Sequence, residues 1–303
     1  RENKIDCILA VGGGSVIDSA KAIAVGVPYQ GDVWDFFTKA AEPKEKLPLG
    51  AVVTIPASGS EASNSCVITN EEGLLKWGMN YQVNRPDFAF LNPELCFTLP
   101  PFQRAASAVD MMSHVMERYF TDTPHVELTD RLCEAALKTV INNAPLVMAD
   151  AENYNAWAEL MLTGTLAHNG QLGVGRLEDW ACHRIDHELT ALYNVTHGAG
   201  LAILFPAWAE YVYKKHLTPF LKFAVRVWNV DQDFASPECT ALEGIKRMKE
   251  FFRGLGMPVS LREAQVPADR LEEMAERATA RGPLGNLEKL YKEDVLNILK
   301  LAL

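Results

Sequence analysis

Residues 5–26 read IDCILAVGGGSVIDSAKAIAVG and join three local patterns. Ile5–Val11 is a short, almost wholly apolar run, which is typical of a strand buried on both faces of a parallel sheet. Three glycines and Ser15 follow at once, and the apolar residues after them recur with helical spacing. Strand, glycine loop and helix are half of a βαβ unit, so this stretch predicts an α/β fold.

A second loop of small residues follows a second apolar run, LGAVVTIP at residues 49–56. Glycines let a backbone approach a ligand closely, and a helix N-terminus offers free N–H groups. Two such loops at the carboxyl ends of neighbouring strands favour a nucleotide-binding crevice. The first loop is neither GxGxxG nor a Walker loop, so a turn without a ligand is the alternative. Two more strands are predicted over 65–70 and 87–93, with a turn or hairpin at 71–80.

The pattern changes near residue 101, beyond which strand signals nearly vanish. Apolar residues then recur every three to four positions, with prolines and glycines between the runs. The sequence therefore predicts an α/β domain over 1–101 and an all-helical domain over 102–303. Helices are predicted over 102–120, 127–148, 153–172, 218–230, 240–256 and 268–280.

The composition excludes several classes of partner. The chain has 303 residues and a net charge of −10, so neither nucleic acid nor an anionic membrane face is an expected partner. The longest apolar run, residues 198–209, is too short to span a bilayer. The six cysteines form no close pairs, which favours reduced thiols and the cytoplasm. Because the chain starts at Arg1 and soon enters a strand, we expect a fragment that lacks an N-terminal part of the sheet.

Histidines and one acid recur with the spacing of metal ligands. Asp110 and His114 are four residues apart, as are His183 and His187, so each pair shares a helix face. His197 follows ten residues after His187. These five residues are candidates for about four places in a nitrogen and oxygen site for Fe²⁺, Zn²⁺ or Mn²⁺. Asp110 lies among apolar residues, where burial without a partner would be costly. Three histidines in loop or surface contexts are left out: His125, His168 and His216.

Four stretches together resemble the iron-containing (group III) alcohol dehydrogenases, and most of all their branch of NAD(P)H-dependent butanol dehydrogenases and broad aldehyde reductases. The stretches are AVGGGSVIDSAKAIA (10–24), TIPASGSEAS (54–63), LPPFQRAASAVDMMSHVMERY (99–119) and HRIDHELTALYNVTHGAGLAILFPA (183–207). The resemblance implies the dehydroquinate synthase-like architecture, in which an α/β dinucleotide-binding domain joins an all-helical, metal-binding domain. It places the metal ligands on Asp110, His114, His183 and His197. His187 then lies beside the metal, as a proton relay or as a residue that only orients a ligand.

The same resemblance assigns the cofactor residues. It implies a pyrophosphate loop and a second cofactor loop, together with a lysine after the following turn. These residues are Gly12, Gly13, Gly14 and Ser15 with Asp18 nearby, then Thr54, Ser58, Gly59 and Ser60, and finally Lys76. The segment that tells NAD from NADP in the family precedes this chain, so both cofactors stay open.

The function implied is hydride transfer between NAD(P)H and a small aldehyde or primary alcohol, with one divalent metal, Fe²⁺ or Zn²⁺. The full-length protein is expected to be a homodimer. The alternatives are a glycerol dehydrogenase-like or other enzyme on the same scaffold, or an inactive metal- and nucleotide-binding fragment.

Overall fold

The computed structural model describes residues 2–303, which contain five strands followed mostly by helices. The strands are β1 (Ile8–Gly12), β2 (Leu49–Val53), β3 (Ser65–Asn70), β4 (Leu75–Asn80) and β5 (Phe88–Leu91). The α-helices are α1 (Gly14–Gly26), α2 (Trp34–Thr38), α3 (Pro101–Tyr119), α4 (Glu127–Ala149), α5 (Tyr154–His168), α6 (Ala181–Tyr193), α7 (His197–Val212), α8 (Leu217–Lys222), α9 (Pro237–Gly254), α10 (Leu271–Thr279) and α11 (Lys292–Leu301). The predicted fold class, an α/β part followed by a helical part, is confirmed.

Three strands form a parallel sheet in the order β1-β2-β5. The predicted strand–loop–helix unit is present, because β1 ends at Gly12 and α1 begins at Gly14. The first strand begins at Ile8 rather than at Ile5. Its partner β2 begins only after Pro48, and a proline has no N–H with which to extend the ladder.

Residues 65–80 form an antiparallel hairpin of β3 and β4, which is separate from the parallel sheet. This settles the choice between a turn and a hairpin that the sequence left open. The hairpin packs against α1 and α2, where the Trp77 ring stacks on Trp34 with centroids 5.5 Å apart. The buried ammonium group of Lys21 on α1 donates to the carbonyls of Ser63, just before the hairpin, and of Ser65, at the start of β3. The hairpin is thereby held beside the carboxyl ends of the sheet.

Helix α3 lies at the centre of the helical part and is buried from Ala105 to Tyr119. The main hydrophobic core is continuous from the sheet residues Ala10 and Ala51 to the helices. The change from strands to helices occurs where the sequence predicts it. A division into two domains between residues 101 and 102 stays a prediction, because one core spans that point. Helices α2, α7 and α11 were not predicted from the sequence, and α6 was implied only by the spacing of His183 and His187.

No helix within residues 2–303 combines the length and the hydropathy that a membrane crossing requires. One face of the parallel sheet is nevertheless apolar and open to solvent. Side chains alternate along a strand, so Ala10 points inward while Leu9 and Val11 are each 57% exposed. On β5, Phe88 is 53% exposed and Phe90 59%. Contiguous apolar surface of this kind promotes association.

We predict that the 303-residue chain self-associates through this face. Changing Leu9 and Phe90 together to lysine should shift the chain toward the monomer, because each charge would have to be desolvated in a contact. Light scattering over a concentration series measures the shift. Phe234→Lys is the control, because Phe234 is 86% exposed in a loop away from the sheet. A parent chain that stays monomeric at high concentration would contradict the prediction.

Candidate metal centre and the adjoining cleft

A cleft of about 1010 Å³ lies between the loops of the α/β part and the helices of the second part. Most of the site residues predicted from the sequence line it. They are Gly14, Ser15, Asp18, Ser58, Ser60, Lys76, Asp110, His114, His183, His187 and His197. The other four, Gly12, Gly13, Thr54 and Gly59, belong to the same loops but do not line the cleft. The two groups of residues that the sequence predicted separately therefore face one space.

Helix α3 supplies Asp110 and His114, which are buried one turn apart on the same face. Oδ1 of Asp110 lies 3.3 Å from Nδ1 of His114. Neither atom has a hydrogen-bond partner within residues 2–303. The helix therefore presents an acid and an imidazole with unused polar atoms to the cleft.

Helices α6 and α7 supply the remaining ligand candidates from their first turns. His183 lies near the start of α6, and His197 is the first residue of α7. Nε2 of His197 lies 3.6 Å from Oδ1 of Asp110. The approach depends on Gly198, because a Cβ at that position would collide with the carbonyl of Ala106 on α3. A glycine after His197 thus lets α7 reach the acid on α3.

Asp110, His183 and His197 form a cluster in which one ligand atom of each lies within 4.8 Å of the others. His114 is adjacent, with its ring centroid 4.7 Å from that of His183, but it is not part of this cluster. His187 is half-buried, one turn after His183, and its ring centroid is 6.5 Å from that of His197. Three of the four predicted ligands thus converge, and both His114 as the fourth ligand and His187 beside the metal stay predictions.

The chemistry of the cluster fits a divalent cation. Burial raises the pKa of Asp110 to about 6, although the charge of His197 acts in the opposite direction. Burial lowers the pKa of His183 well below its ordinary value, so its imidazole is neutral. Its buried Nε2 has no hydrogen-bond partner in the described part of the chain. Burial also keeps the nearby thiol of Cys182 protonated, because it raises that pKa well above the usual value. A carboxylate and imidazoles without thiolate form a nitrogen and oxygen donor set.

Two further carboxylates belong to the site and were missed in the sequence. Glu117 accepts a hydrogen bond from Nδ1 of His183 at 2.7 Å, and Asp186 accepts one from Nδ1 of His197. Burial raises the pKa of Glu117 to about 8, against the effect of the backbone N–H groups of His183 and Trp180. The sequence feature that could have identified Glu117 is its spacing, because it follows Asp110 by two helical turns and lies on the same helix face.

His168 also lies in the site, although its position beside Asn169 and Gly170 had left it out of the candidate ligands. It ends α5, lines the cleft and stacks on the ring of His114 with centroids 4.3 Å apart. Its Nδ1 is 2.7 Å from the carbonyl oxygen of Ser58 in the second loop. His125 is exposed in a loop, as the sequence indicated. His216 is not a free surface residue, because it pairs with Asp122 and Glu288.

The two small-residue loops contact each other at the open end of the cleft. A Cβ on Gly14 would collide with the side chain of Ser58. Asp18 is no solvated first-turn acid, since it accepts hydrogen bonds from Oγ of Ser60 at 2.5 Å and from the N–H of Val67 at 2.9 Å. Burial raises its pKa, against the nearby charge of Lys21. Asp18 therefore fixes the second loop against the start of α1.

Comparison with known proteins gives consistent matches along the chain. The family model for iron-containing alcohol dehydrogenase matches residues 1–93, and that for the C-terminal part of the Fe-containing alcohol dehydrogenase family matches residues 104–303. The chain is 43% identical to the probable NADH-dependent butanol dehydrogenase 1 of Bacillus subtilis, over 100% of this chain and 78% of the relative. It is 37% identical to the NADPH-dependent aldehyde reductase YqhD of Escherichia coli, over 90% of this chain and 73% of the relative.

A solved structure agrees with this result. The crystal structure of the NADH-dependent butanol dehydrogenase A of Thermotoga maritima superposes with a TM-score of 0.96 at 38% sequence identity. The match covers 99% of this chain and 77% of that one.

We predict that Asp110→Ala and His197→Ala each lose most of the bound metal, because each removes a ligand atom from the cluster. Elemental analysis of the purified, folded variants measures the loss. His187→Ala is the matched comparison and should retain the metal, with kcat lowered roughly 10²-fold or more if His187 relays a proton. Full metal occupancy in both ligand variants would show that the ion binds elsewhere.

Proposed function

Because this chain belongs to the iron-containing alcohol dehydrogenase family, we propose that it transfers a hydride between NAD(P)H and a small aldehyde or the corresponding primary alcohol. The observation that supports the proposal is the convergence of Asp110, His183 and His197 on the same cleft as the two small-residue loops. The names of the relatives include both NADH and NADPH, and the assay described below compares the two dinucleotides.

The metal proposed for the centre is divalent iron, in line with the family. Asp110, His114, His183 and His197 would hold it. When bound, the ion supplies a Lewis acid that polarises the oxygen of the substrate. Three of these residues, Asp110, His114 and His183, each have a buried polar atom without a hydrogen-bond partner within residues 2–303. Such atoms cost the fold free energy, and binding of an ion would reduce that cost.

The loops are proposed to bind the pyrophosphate of the cofactor. Gly14 and Ser15 open α1 and line the cleft, where the free N–H groups of a helix N-terminus attract an anion. Ser58 and Ser60 face them from the second loop. Lys76 on β4 also lines the cleft and would pair with a phosphate. Gly12, Gly13, Thr54 and Gly59 act through the backbone, since the Thr54 N–H bonds the Gly12 carbonyl and joins the two strand ends.

Reduction of an aldehyde consumes one hydride and one proton, and His187 is proposed to pass on the proton. Burial lowers its pKa well below the ordinary value, so the ring is neutral and carries both a donor and an acceptor nitrogen. It lines the same cleft as the cluster and Lys76. The alternative role, in which His187 only orients a ligand, predicts a smaller effect on kcat.

Family membership favours an alcohol dehydrogenase over the glycerol dehydrogenase-like alternative. The third reading, an inactive metal- and nucleotide-binding fragment, predicts no turnover in the iron-loaded chain. Oxidation of NADH and of NADPH with butanal, followed by absorbance in anaerobic Fe²⁺-loaded protein, tests the proposal directly. Metal-dependent turnover supports it, whereas metal binding without any turnover supports the fragment.

Gly14→Val should raise the KM for the dinucleotide roughly tenfold or more, which corresponds to about 1.4 kcal/mol of lost binding. The reason is steric, because the new side chain would occupy the space between Gly14 and Ser58. Steady-state kinetics with varied cofactor measures the change. Gly254→Val is the matched control, since a Cβ there meets nothing within 4 Å. An unchanged cofactor KM in Gly14→Val would mean that the loop is merely a turn.

A further inference from the structure

Two buried carboxylates hold two of the clustered histidines by the same ring atom. Glu117 is 2% exposed and contacts Nδ1 of His183, and Asp186 is 0% exposed and contacts Nδ1 of His197. We propose that Glu117 and Asp186 are positioning residues, which fix both imidazoles with the proton on Nδ1 and with Nε2 free for the ion. This inference rests on the proposed metal-dependent function.

The contacts of Glu117 determine which nitrogen of His183 carries the proton. Its Oε1 also accepts the backbone N–H of His183 at 3.1 Å, and its Oε2 accepts the N–H of Trp180 at 2.6 Å. Both oxygens thus accept backbone N–H groups, and an ionised carboxylate has no proton to give, so Nδ1 of His183 is the donor whenever Glu117 is ionised. Nε2 then has a lone pair, and it is the ring atom that is buried without a hydrogen-bond partner within residues 2–303.

Asp186 fixes His197 in the same way from the next turn of α6. Its Oδ2 accepts from Nδ1 of His197 and also from Oγ1 of Thr190 at 3.3 Å. Gly200 on α7 makes this approach possible, because a Cβ there would collide with Oδ1 of Asp186. The opposite nitrogen of His197, Nε2, is the one that lies 3.6 Å from Oδ1 of Asp110.

These contacts connect α3, α6 and α7 to one another in a closed ring. Glu117 on α3 holds the ring of His183 on α6, and Asp186 on α6 holds the ring of His197 on α7. His197 in turn faces Asp110 on α3. The ligand atoms are thus oriented before an ion arrives, and a carboxylate on the distal nitrogen makes each imidazole a stronger donor.

A variant of Asp179 can distinguish the positioning of a ligand from the simple anchoring of α6. It is buried two residues before the helix and accepts the N–H groups of Ala181, Asn286 and Leu287 at 3.0, 2.9 and 2.8 Å. None of the contacts described for it involves a histidine ring. Asp179→Asn therefore perturbs the start of the same helix without touching the orientation of a ligand, which makes it the matched control.

The test has two readouts that do not depend on activity. In metal-free wild-type protein, at a pH alkaline enough for both rings to be neutral, nitrogen-15 NMR of the histidine rings should show the proton on Nδ1 in both His183 and His197. In folded Glu117→Gln and Asp186→Asn, chelator competition should give Zn²⁺ affinity lowered about 10- to 100-fold. Asp179→Asn should match the wild type in affinity and in both ring tautomers.

Three outcomes would overturn the proposal. They are wild-type rings protonated on Nε2, unchanged Zn²⁺ affinity in both positioning variants, or an equal loss of affinity in Asp179→Asn. If Glu117→Gln fails to fold, Asp186→Asn and the wild-type tautomers still decide. A wild-type chain that binds neither Zn²⁺ nor Fe²⁺ would refute the proposed function instead, and the tautomers would still test the positioning role.

Discussion

The carboxylate of Asp110 is buried at the wall of the cleft, one of its oxygens has no hydrogen-bond partner within residues 2–303, and the rest of the site is arranged around it. A buried acid without a counter-charge is expensive, and the histidines that face it are neutral, since burial lowers the pKa of both His114 and His183 well below the ordinary value. His197 is the exception: burial lowers its pKa, but the charges of Asp186 and Asp110 outweigh burial and raise it. The divalent ion proposed for this site would supply further positive charge beside Asp110.

This arrangement depends on close approaches between helices and between loops, which only small residues allow. Gly198 lets α7 meet α3, and Gly200 lets Asp186 reach His197. On the other side of the cleft, Gly14 and Ser58 bring the two loops into contact. One hydrophobic core runs from the parallel sheet into the helices, so the loops and the cluster are held in a fixed relation. Hydride transfer requires such a fixed relation, because its rate depends on the placement of the reacting atoms.

Local patterns in the sequence were sufficient for the strand–loop–helix unit, the parallel sheet and the helical part, because each depends on the periodicity of adjacent residues. Spacing also placed Asp110, His183 and His197 among five candidate ligands, and these three converge in the structure. Glu117, Asp186 and His168 could not be assigned in that way. Their roles arise from contacts between helices that are far apart in the chain, and an isolated Glu or Asp on a helix ordinarily indicates a solvated face. The start of β1 was misplaced for a similar reason, since it depends on Pro48 in the partner strand.

The central claim is that one divalent ion binds at the meeting point of α3, α6 and α7. Anomalous X-ray diffraction at the iron edge, from crystals of the Fe²⁺-loaded chain, tests it most directly. The account predicts a single strong peak in contact with Oδ1 of Asp110 and with Nε2 of His183 and of His197. A peak at any other place, or the absence of a peak from protein that elemental analysis shows to contain iron, would contradict it.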